Sequence, residues 1–414
     1  MTGFLIEWRR SPLRWWALPL IGLACLLTLS TGGFPPDSWP RASAAATAAG
    51  LPFVIAALAL CADRAARAHR NADTSPVSAR PPHHAALTRL AADLGWLLPA
   101  YAVPVLILWT ATWRGGAPGS PWLEYPVFGM TGIIFAAGLG HLAGTLAPSR
   151  FTGLIAATGA LVLFLFVFTQ DSPLTASVPY QAISFRLAET HLMWRAAAAA
   201  CAVILAIAAP HLAARLTARR DGVPRLPRPA RTPLLAAGAL AGVLLAMPNN
   251  PDAPLVGPRT SPAEPVCAQA SGSEVCVWPE HAHRLKDAVS AVTAVHTRGL
   301  DILPPADRYT EDGLSGTGFL LDHGKGDLLA TLVTQQMDEV TVWCTPEPDP
   351  DRMLHHQALS LWLETRVRQL DAPPSYGHYG DTSHVDEVTR VLALPEQEQL
   401  NEAQQWAHSV SQPC

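Results

Sequence analysis

The chemically reactive side chains of this sequence concentrate between residues 249 and 414. Four of the seven cysteines fall there, at Cys267, Cys276, Cys344 and Cys414. An even number of cysteines in a segment outside the cytoplasm predicts two disulfides, with three pairings to choose from. Loop closure favours the near pair Cys267–Cys276, which leaves Cys344 to pair with Cys414. Zinc is the weaker interpretation, because no C-x2-C spacing occurs.

Three patterns in this segment suggest catalysis or ligand binding, and each fails on spacing. Gly318 to Gly326, GFLLDHGKG, echoes a phosphate loop, but its lysine is misplaced and no Ser or Thr follows. No serine occupies a G-x-S-x-G elbow. A metal site is not indicated, because no H-E-x-x-H motif is present. We expect the histidines and glutamate of this segment at the surface: Glu280, His281, His283, His355 and His356. We therefore expect no catalytic residue, cofactor or metal, and a protein that is not an enzyme.

The chain divides into a membrane part and a tail, and the charges of the two parts are opposite. Residues 1–248 hold 19 arginines, no lysine and nine acidic residues, a net charge of about +10, whereas residues 249–414 sum to about −14. A basic membrane part suits anionic cytoplasmic-leaflet lipid, and an acidic tail suits a solvated domain. Neither half has a charge pattern suited to nucleic acid.

Seven apolar segments approach the roughly 20 residues that a helix needs to cross the hydrocarbon core. We predict spans at 15–31, 42–62, 95–113, 127–147, 152–169, 194–212 and 233–248. The seventh segment is short, and the side on which the tail lies depends on whether it crosses.

Arginine sets the orientation through the positive-inside rule. With the N-terminus in the cytoplasm, fifteen arginines fall on the cytoplasmic side and four on the other: Arg41, Arg114, Arg186 and Arg195. An odd number of spans then places residues 249–414 outside. The expected location is the plasma membrane, multi-pass, with the C-terminal domain outside.

The spans carry few ionisable groups, which argues against a proton or sodium relay. His141 is the only one near the middle of a span, and we expect it to be a hydrogen-bonded residue at a helix interface. Asp63, Asp93 and Arg195 stand at span ends, where long or terminal side chains reach the aqueous boundary. Small-xxx-small pairs at Gly140/Gly144 and Gly238/Gly242 favour packing within the chain over dimerisation.

Three segments flank the spans. Residues 1–14 place Phe4, Leu5 and Trp8 on one face and are expected to form a helix at the cytoplasmic interface. The cytoplasmic segment 64–94 begins basic and Pro-broken and ends in an amphipathic helix from Ala85 to Leu94, whose apolar face includes Leu87, Leu90 and Leu94. The outer segment 171–193 is half apolar.

This arrangement resembles an ABC-2-type ABC transporter permease over about residues 1–212. The opening EWRRSPLRWW, residues 7–16, is also similar to the start of many actinobacterial members. The resemblance implies that 1–14 is the elbow helix, that 171–193 is the re-entrant region, and that 64–94 contacts a separate ATPase, through Leu87, Leu90 and Leu94. Typical members end in the cytoplasm. A seventh span with an outside tail therefore indicates a permease-like actinobacterial variant with an extracytoplasmic C-terminal domain.

The tail is expected to be a small, mainly helical α+β domain at 266–414, after a Pro-rich linker at 249–265. A strand is predicted at 273–278. Helices are predicted at 280–298, 327–337, 351–370, 383–393 and 396–409. The predicted fold is thus an α-helical polytopic membrane protein of about seven spans, N-terminus in, with this domain appended.

Two functions from different classes fit these features. The first is the membrane subunit of an ABC-type exporter, embedded in the bilayer, with a separate ATPase chain and homodimerisation as a further option. The second is a non-transporting membrane protein whose outer domain binds a peptide, an envelope component or a protein partner. A membrane enzyme acting through the tail is the least favoured.

Overall fold

The computed structural model describes residues 2–30, 38–72, 81–167, 185–220, 256–259, 264–299, 302–304, 306–314, 318–321, 325–341, 350–370, 373 and 383–412. The chain forms two compact units. The first, called the membrane unit below, comprises Met1–Gly116 and Ser120–Pro258; the second, called the tail unit, comprises Ala117–Gly119 and Arg259–Cys414.

The membrane unit is built of long apolar helices. Its described helices are α1 (Thr2–Arg10), α2 (Leu13–Ser30), α3 (Trp39–Ala49), α4 (Leu51–Ala72), α5 (Pro82–Arg114), α6 (Glu124–Leu146), α7 (Thr152–Val167) and α8 (Glu189–Arg220). Four described stretches are long and apolar enough to cross a membrane, namely Trp39–Asn71, Pro82–Arg114, Glu124–Leu146 and Glu189–His211. The pair α1–α2 makes a fifth if it counts as one bent span. The prediction of a mostly helical chain with several helices of membrane-spanning length is therefore confirmed, whereas the predicted span 233–248 lies outside the described residues.

The second predicted span is interrupted near its start. Helix α3 ends at Ala49 and α4 begins at Leu51, with Pro52 in the first turn of α4. Proline has no N–H to donate to the carbonyl four residues earlier, so one hydrogen bond of the regular ladder is missing here. Gly50 occupies the break and donates its N–H to the Thr47 carbonyl at 3.0 Å.

Helix α5 joins two elements that the sequence predicts separately. The amphipathic helix expected from Ala85 to Leu94 and the span expected at 95–113 form one 33-residue helix. Such a helix is about 50 Å long, against a hydrocarbon core of about 30 Å. Part of α5 therefore extends beyond the apolar layer, or the helix is tilted.

Helix α6 packs between α4 and α8 through its glycines. A side chain at Gly138 would meet the backbone of Ala202 in α8, and side chains at Gly140 and Gly144 would meet the backbone carbonyls of Leu58 and Ala62 in α4. Glycine lets the helix backbones approach closely, which raises the van der Waals contact that drives helix association in lipid. The predicted intrachain packing of Gly140 and Gly144 is confirmed.

A two-stranded sheet stands beside α8. Strand β1 (Phe185–Leu187) pairs antiparallel with β2 (Val256–Pro258), so that Leu187 faces Val256 and Arg186 faces Gly257. Leu187 is buried against Trp122 and Phe128. The pairing brings the chain after α8 back to the residues that precede α8. Of the predicted outer segment 171–193, residues 171–184 lie outside the described residues.

The tail unit contains a three-stranded sheet. Strands β3 (Val266–Ala270) and β4 (Ser273–Val277) form an antiparallel hairpin, and β5 (Arg308–Thr310) pairs parallel with β4. Ser271 and Gly272 make the hairpin turn with φ of 51° and 91°. Two successive positive φ values match the type I′ turn, whose twist suits a two-residue hairpin.

Helices cover this sheet and supply most of the core. A 3-10 helix (Pro279–Arg284) leads into α9 (Leu285–Gly299), followed by α10 (Lys325–Val340), α11 (Pro350–Arg368), α12 (Ser383–Leu392) and α13 (Glu396–Ser411). Their apolar faces and β4 enclose one core that includes Val277, Phe319 and Trp362. The five predicted tail helices are present, each shifted at its ends by a few residues, and a mainly helical domain with a small sheet is confirmed.

Candidate functional site

A buried polar cluster joins three elements at one end of the membrane unit. It consists of Glu7 from α1, Ser11 from the α1–α2 junction, Cys61 and Arg64 from α4, and Asp93 from α5. We call it the elbow cluster. Its members lie up to 86 positions apart in sequence. The cluster therefore holds the N-terminal helix against α4 and α5.

Asp93 is the acceptor at the centre of the elbow cluster and is 1% exposed. Its Oδ1 accepts the Ser11 hydroxyl at 2.7 Å and also a donor from the Arg64 guanidinium. Its Oδ2 accepts the Cys61 thiol at 3.7 Å. A buried carboxylate needs such donors, because leaving its charge unpaired costs several kcal/mol.

Arg64 links Asp93 to the N-terminal helix. Its Nη2 donates to the Glu7 carboxylate at 2.6 Å and to the Glu7 backbone carbonyl at 2.9 Å. The planar guanidinium presents several N–H donors in a fixed fork, which lets one side chain bind two acceptors on different helices. Arg64 thus ties α1 and α5 to α4.

The α1–α2 bend is stabilised by the same residues and by aromatic contact. The two helices meet at 58°. Ser11, which donates to Asp93, also accepts the N–H of Leu13 at the start of α2, at 3.3 Å. Trp8 packs on Trp96 of α5 with ring centroids 5.3 Å apart, and the Trp96 indole donates to the Trp8 carbonyl at 3.0 Å. Helix α1 is therefore fixed on α5 by polar and apolar contacts together.

This arrangement corrects the expectation that Asp93 reaches the aqueous boundary. Asp93 points into the helix packing because Ser11, Cys61 and Arg64 supply its hydrogen bonds there. The same correction applies to Arg195 of α8, which is 5% exposed and has its guanidinium 3.7 Å from the centre of the Phe128 ring. Gly132 leaves room for that guanidinium. Asp63 is half-exposed and pairs with Arg67 at 2.5 Å, as a residue at a span end can.

The predicted ATPase-contact residues do not form one exposed face. Leu90 is 2% exposed and belongs to the core of the membrane unit, and Leu94 packs against that core. Leu87 is 45% exposed. The reason is that α5 continues as a span, so the stripe of Ala86, Leu90, Asp93 and Leu97 faces the neighbouring helices. Leu90 is therefore not accessible to a partner in this conformation.

Among the described residues, the cysteines of the tail unit form a disulfide and those of the membrane unit are free, as the sequence predicts. Cys267 and Cys276 face each other across the β3–β4 hairpin and form a disulfide, with Cα atoms 4.1 Å apart. Cys344 and Cys414 lie outside the described residues, so their pairing stays a prediction. Cys25, Cys61 and Cys201 are free thiols within helices of the membrane unit.

The histidines of the tail unit do not assemble a metal site among the described residues. His281, expected at the surface, is fully buried with its Nδ1 2.5 Å from the Glu311 carboxylate, which also accepts the Trp278 N–H at 2.9 Å. His355 bonds to Ser409 at 2.9 Å. The one grouping with metal-ligand spacing, Cys267, Glu274 and Cys276, contains the disulfide, whose sulfurs are bonded to each other.

Sequence reasoning missed the elbow cluster because its members are distant along the chain. One signal was available: Asp93 sits in phase with Ala86, Leu90 and Leu97, so it shares their buried stripe. The pairing of Asp93 with Arg64 was not predictable in the same way, because it depends on the packing of α4 beside α5. No protein-family model, curated protein or solved structure matches this chain.

Proposed function

We propose that this chain is the membrane, permease-like subunit of an ABC-type exporter that depends on a separate ATPase chain. The observation that carries the proposal is the elbow cluster. It binds the N-terminal helix to α4 and α5, and these two helices flank the cytoplasmic segment that we expect to meet the ATPase. A displacement imposed on that segment is then passed to α1 and α2 through Arg64 and Asp93.

The strength of the elbow cluster suits this role. Removing one partner of a buried, hydrogen-bonded ion pair typically costs about 3–5 kcal/mol, several times thermal energy. Arg64 and Asp93 therefore stay paired while the helices that carry them move. The bend at Ser11 is fixed by the same pair, so α1 and the first turn of α2 follow α5 as one body.

The β1–β2 pairing supports an outside position for the tail unit. Val256 pairs with Leu187, two residues before α8 begins, whereas Arg220 ends α8 about 48 Å further along the helix axis. His211, near that far end, lies 3.4 Å from His83 at the start of α5. Arg220 and Val256 therefore lie towards opposite ends of the membrane unit, Arg220 at the end that holds the elbow cluster. Together with the arginine asymmetry, this favours a cytoplasmic N-terminus and an extracytoplasmic tail in the plasma membrane.

The docking contact that we propose includes fewer residues than the sequence indicates. It centres on Leu87, the exposed member of the predicted triplet, on the part of α5 that precedes Asp93. Arg70 in the last turn of α4 adds positive charge to the cytoplasmic segment, which would steer an acidic partner. Leu90 and Leu94 act indirectly, by holding this part of α5 against the core.

The second candidate, a non-transporting membrane protein with a binding domain outside, is favoured by one observation. The tail unit has its own core and its own disulfide. A domain of this kind is able to bind a peptide, an envelope component or a protein partner without any transport by the spans. The two candidates differ in whether an ATPase associates with the membrane unit.

The test is purification of the tagged full chain from its native membranes, with identification of any associated ABC ATPase by its Walker A sequence and ATP hydrolysis. We expect such a chain to co-purify with wild type and to be lost with Leu87→Glu. The matched control is Leu370→Glu, at a 40% exposed leucine of the tail unit. Equal capture by both variants would remove docking from α5. Absence of any hydrolysing partner would shift the assignment to the binding protein.

A further inference from the structure

The outer side of the α1–α2 bend carries an exposed patch of mixed chemistry. Leu5 and Ile6 of α1 are 46% and 50% exposed, and Trp15 and Trp16 of α2 are 73% and 51% exposed. Arg10 and Arg14 are exposed between them. We call these six residues the elbow patch. The opposite face of α1 is the one that packs on α5 through Phe4 and Trp8.

Arg14 of the elbow patch contacts two neighbouring residues, Arg9 and Trp15. Its Nη1 donates to the Arg9 carbonyl at 2.7 Å, and its guanidinium carbon lies 4.7 Å from the centre of the Trp15 ring. A guanidinium has five N–H donors in one plane. With one donor directed at Arg9, the remaining donors of the Arg14 guanidinium are available to a planar or tetrahedral oxyanion.

The sequence from Trp8 to Pro36, which carries most of the elbow patch, is positively charged. Glu7 and Asp37 are consecutive acidic residues in the sequence, so no carboxylate occurs from Trp8 to Pro36. Glu7 itself is paired with Arg64 in the elbow cluster. The patch is therefore complementary to an anion rather than to another basic surface.

The apolar part of the patch continues into the surface that faces lipid. Leu18, Leu23 and Leu26 of α2 are 78%, 47% and 61% exposed, and follow Trp15 and Trp16 towards the middle of the span. Tryptophan is enriched at the level of the lipid headgroups, where its ring contacts hydrocarbon and its N–H meets water. If Trp15 and Trp16 lie at the level of the headgroups, the guanidinium groups of Arg10 and Arg14 would lie at the depth of the phosphates.

We propose that the elbow patch binds an anionic phospholipid. Arg10 and Arg14 hold the headgroup phosphate, Trp15 and Trp16 contact the glycerol region, and Leu5 and Ile6 contact the upper acyl chain. Each arginine near an anionic lipid surface contributes about 1 kcal/mol, which corresponds to a factor of about five in binding constant. The proposal stands whether or not the chain transports anything.

Native mass spectrometry of the full chain in detergent, titrated with phosphatidylglycerol or phosphatidylcholine, tests this site. We expect wild type to bind the anionic lipid more tightly. The variant Arg10→Gln with Arg14→Gln should bind it about 25-fold more weakly, the product of two fivefold factors. Glutamine removes the charge and keeps a polar side chain, and an unchanged melting temperature of the variant checks that the fold at the bend is preserved. The matched control, Arg114→Gln with Arg150→Gln, removes two exposed arginines elsewhere and should bind as wild type does.

Three outcomes would overturn the proposal. Equal affinity of wild type for the two lipids would show that charge plays no part. Unchanged binding by the Arg10/Arg14 variant, with an unchanged melting temperature, would place the anionic lipid elsewhere. Displacement of the lipid by inorganic phosphate alone would indicate a site for free phosphate.

Discussion

At the scale of single residues, burial decides what the charged groups of the membrane unit do. Asp93 and Asp63 are both carboxylates near span ends, and both have an arginine partner. Asp93 is 1% exposed in its side chain and bonds to three donors, whereas Asp63 is 32% exposed and pairs with Arg67 one helical turn away. Similar sequence positions thus produce one structural centre and one ordinary surface pair.

The first prediction compares these two carboxylates. Asp93→Ala leaves the buried Arg64 guanidinium with Glu7 as its remaining carboxylate partner and should lower the free energy of unfolding by up to about 3–5 kcal/mol. Asp63→Ala should change it by less than about 1 kcal/mol, because exposed i,i+4 pairs contribute little. The measurement is unfolding of the full chain in mixed micelles by increasing fractions of SDS. The double variant Arg64→Met with Asp93→Leu should recover much of the loss, since both charges then leave the interior together. Similar losses for the two single variants would contradict the central place given to Asp93.

At the scale of elements, apolar periodicity predicts the helices well and their partners poorly. The stretch from Leu87 to Trp113 is apolar enough to indicate helix throughout, and α5 is helical throughout. The sequence divides it at Leu94 because charge and proline content change there. Which face of Ala85–Leu94 is buried depends on α1 and α4, and no local pattern contains that information. Most tail helices were predictable because they bury an apolar stripe in one core, whereas α11 buries every residue from Leu361 to Thr365.

The second prediction concerns the packing of α6. Gly144→Leu has to push α6 away from the α4 backbone at Ala62, so it should destabilise the membrane unit by about 1–3 kcal/mol or more. Gly159→Leu is the matched control, because Gly159 also lies in an apolar helix, α7, and nothing stands within 4 Å of its substituted position. Thermal unfolding of the two purified variants in the same detergent makes the comparison. Equal melting temperatures would mean that α6 and α4 are not packed through this glycine.

At the scale of the whole molecule, the charge division and the strand pairing point to the same topology independently. The arginine asymmetry predicts the orientation of the chain in the membrane from the loops alone. It uses no contact between helices or strands. The β1–β2 pairing says nothing about orientation, but it links Pro258 to the end of the membrane unit that holds Glu124. Arg186 of β1 bonds to Glu124 at the start of α6 at 2.6 Å. Sequence alone could not supply this link, because strands of three residues carry no periodic signal.

The last prediction separates these two arguments. Alkaline phosphatase, which is active outside the cytoplasm, and a fluorescent protein that matures inside it are fused separately after Asn71, Gly116 and Pro258. Asn71 lies in the last turn of α4 on the side of the elbow cluster, and Gly116 follows α5 on the opposite side. We expect fluorescence after Asn71 and phosphatase activity after both Gly116 and Pro258.

The agreement between Gly116 and Pro258 follows from the strand pairing alone, because α6 and β1 meet at Glu124 and Arg186. A reversed result at all three positions would overturn the orientation from arginine and leave the fold intact. A Pro258 fusion that agrees with Asn71 would mean that the chain does not return across the membrane between α8 and β2, and the tail would then face the same side as the expected ATPase.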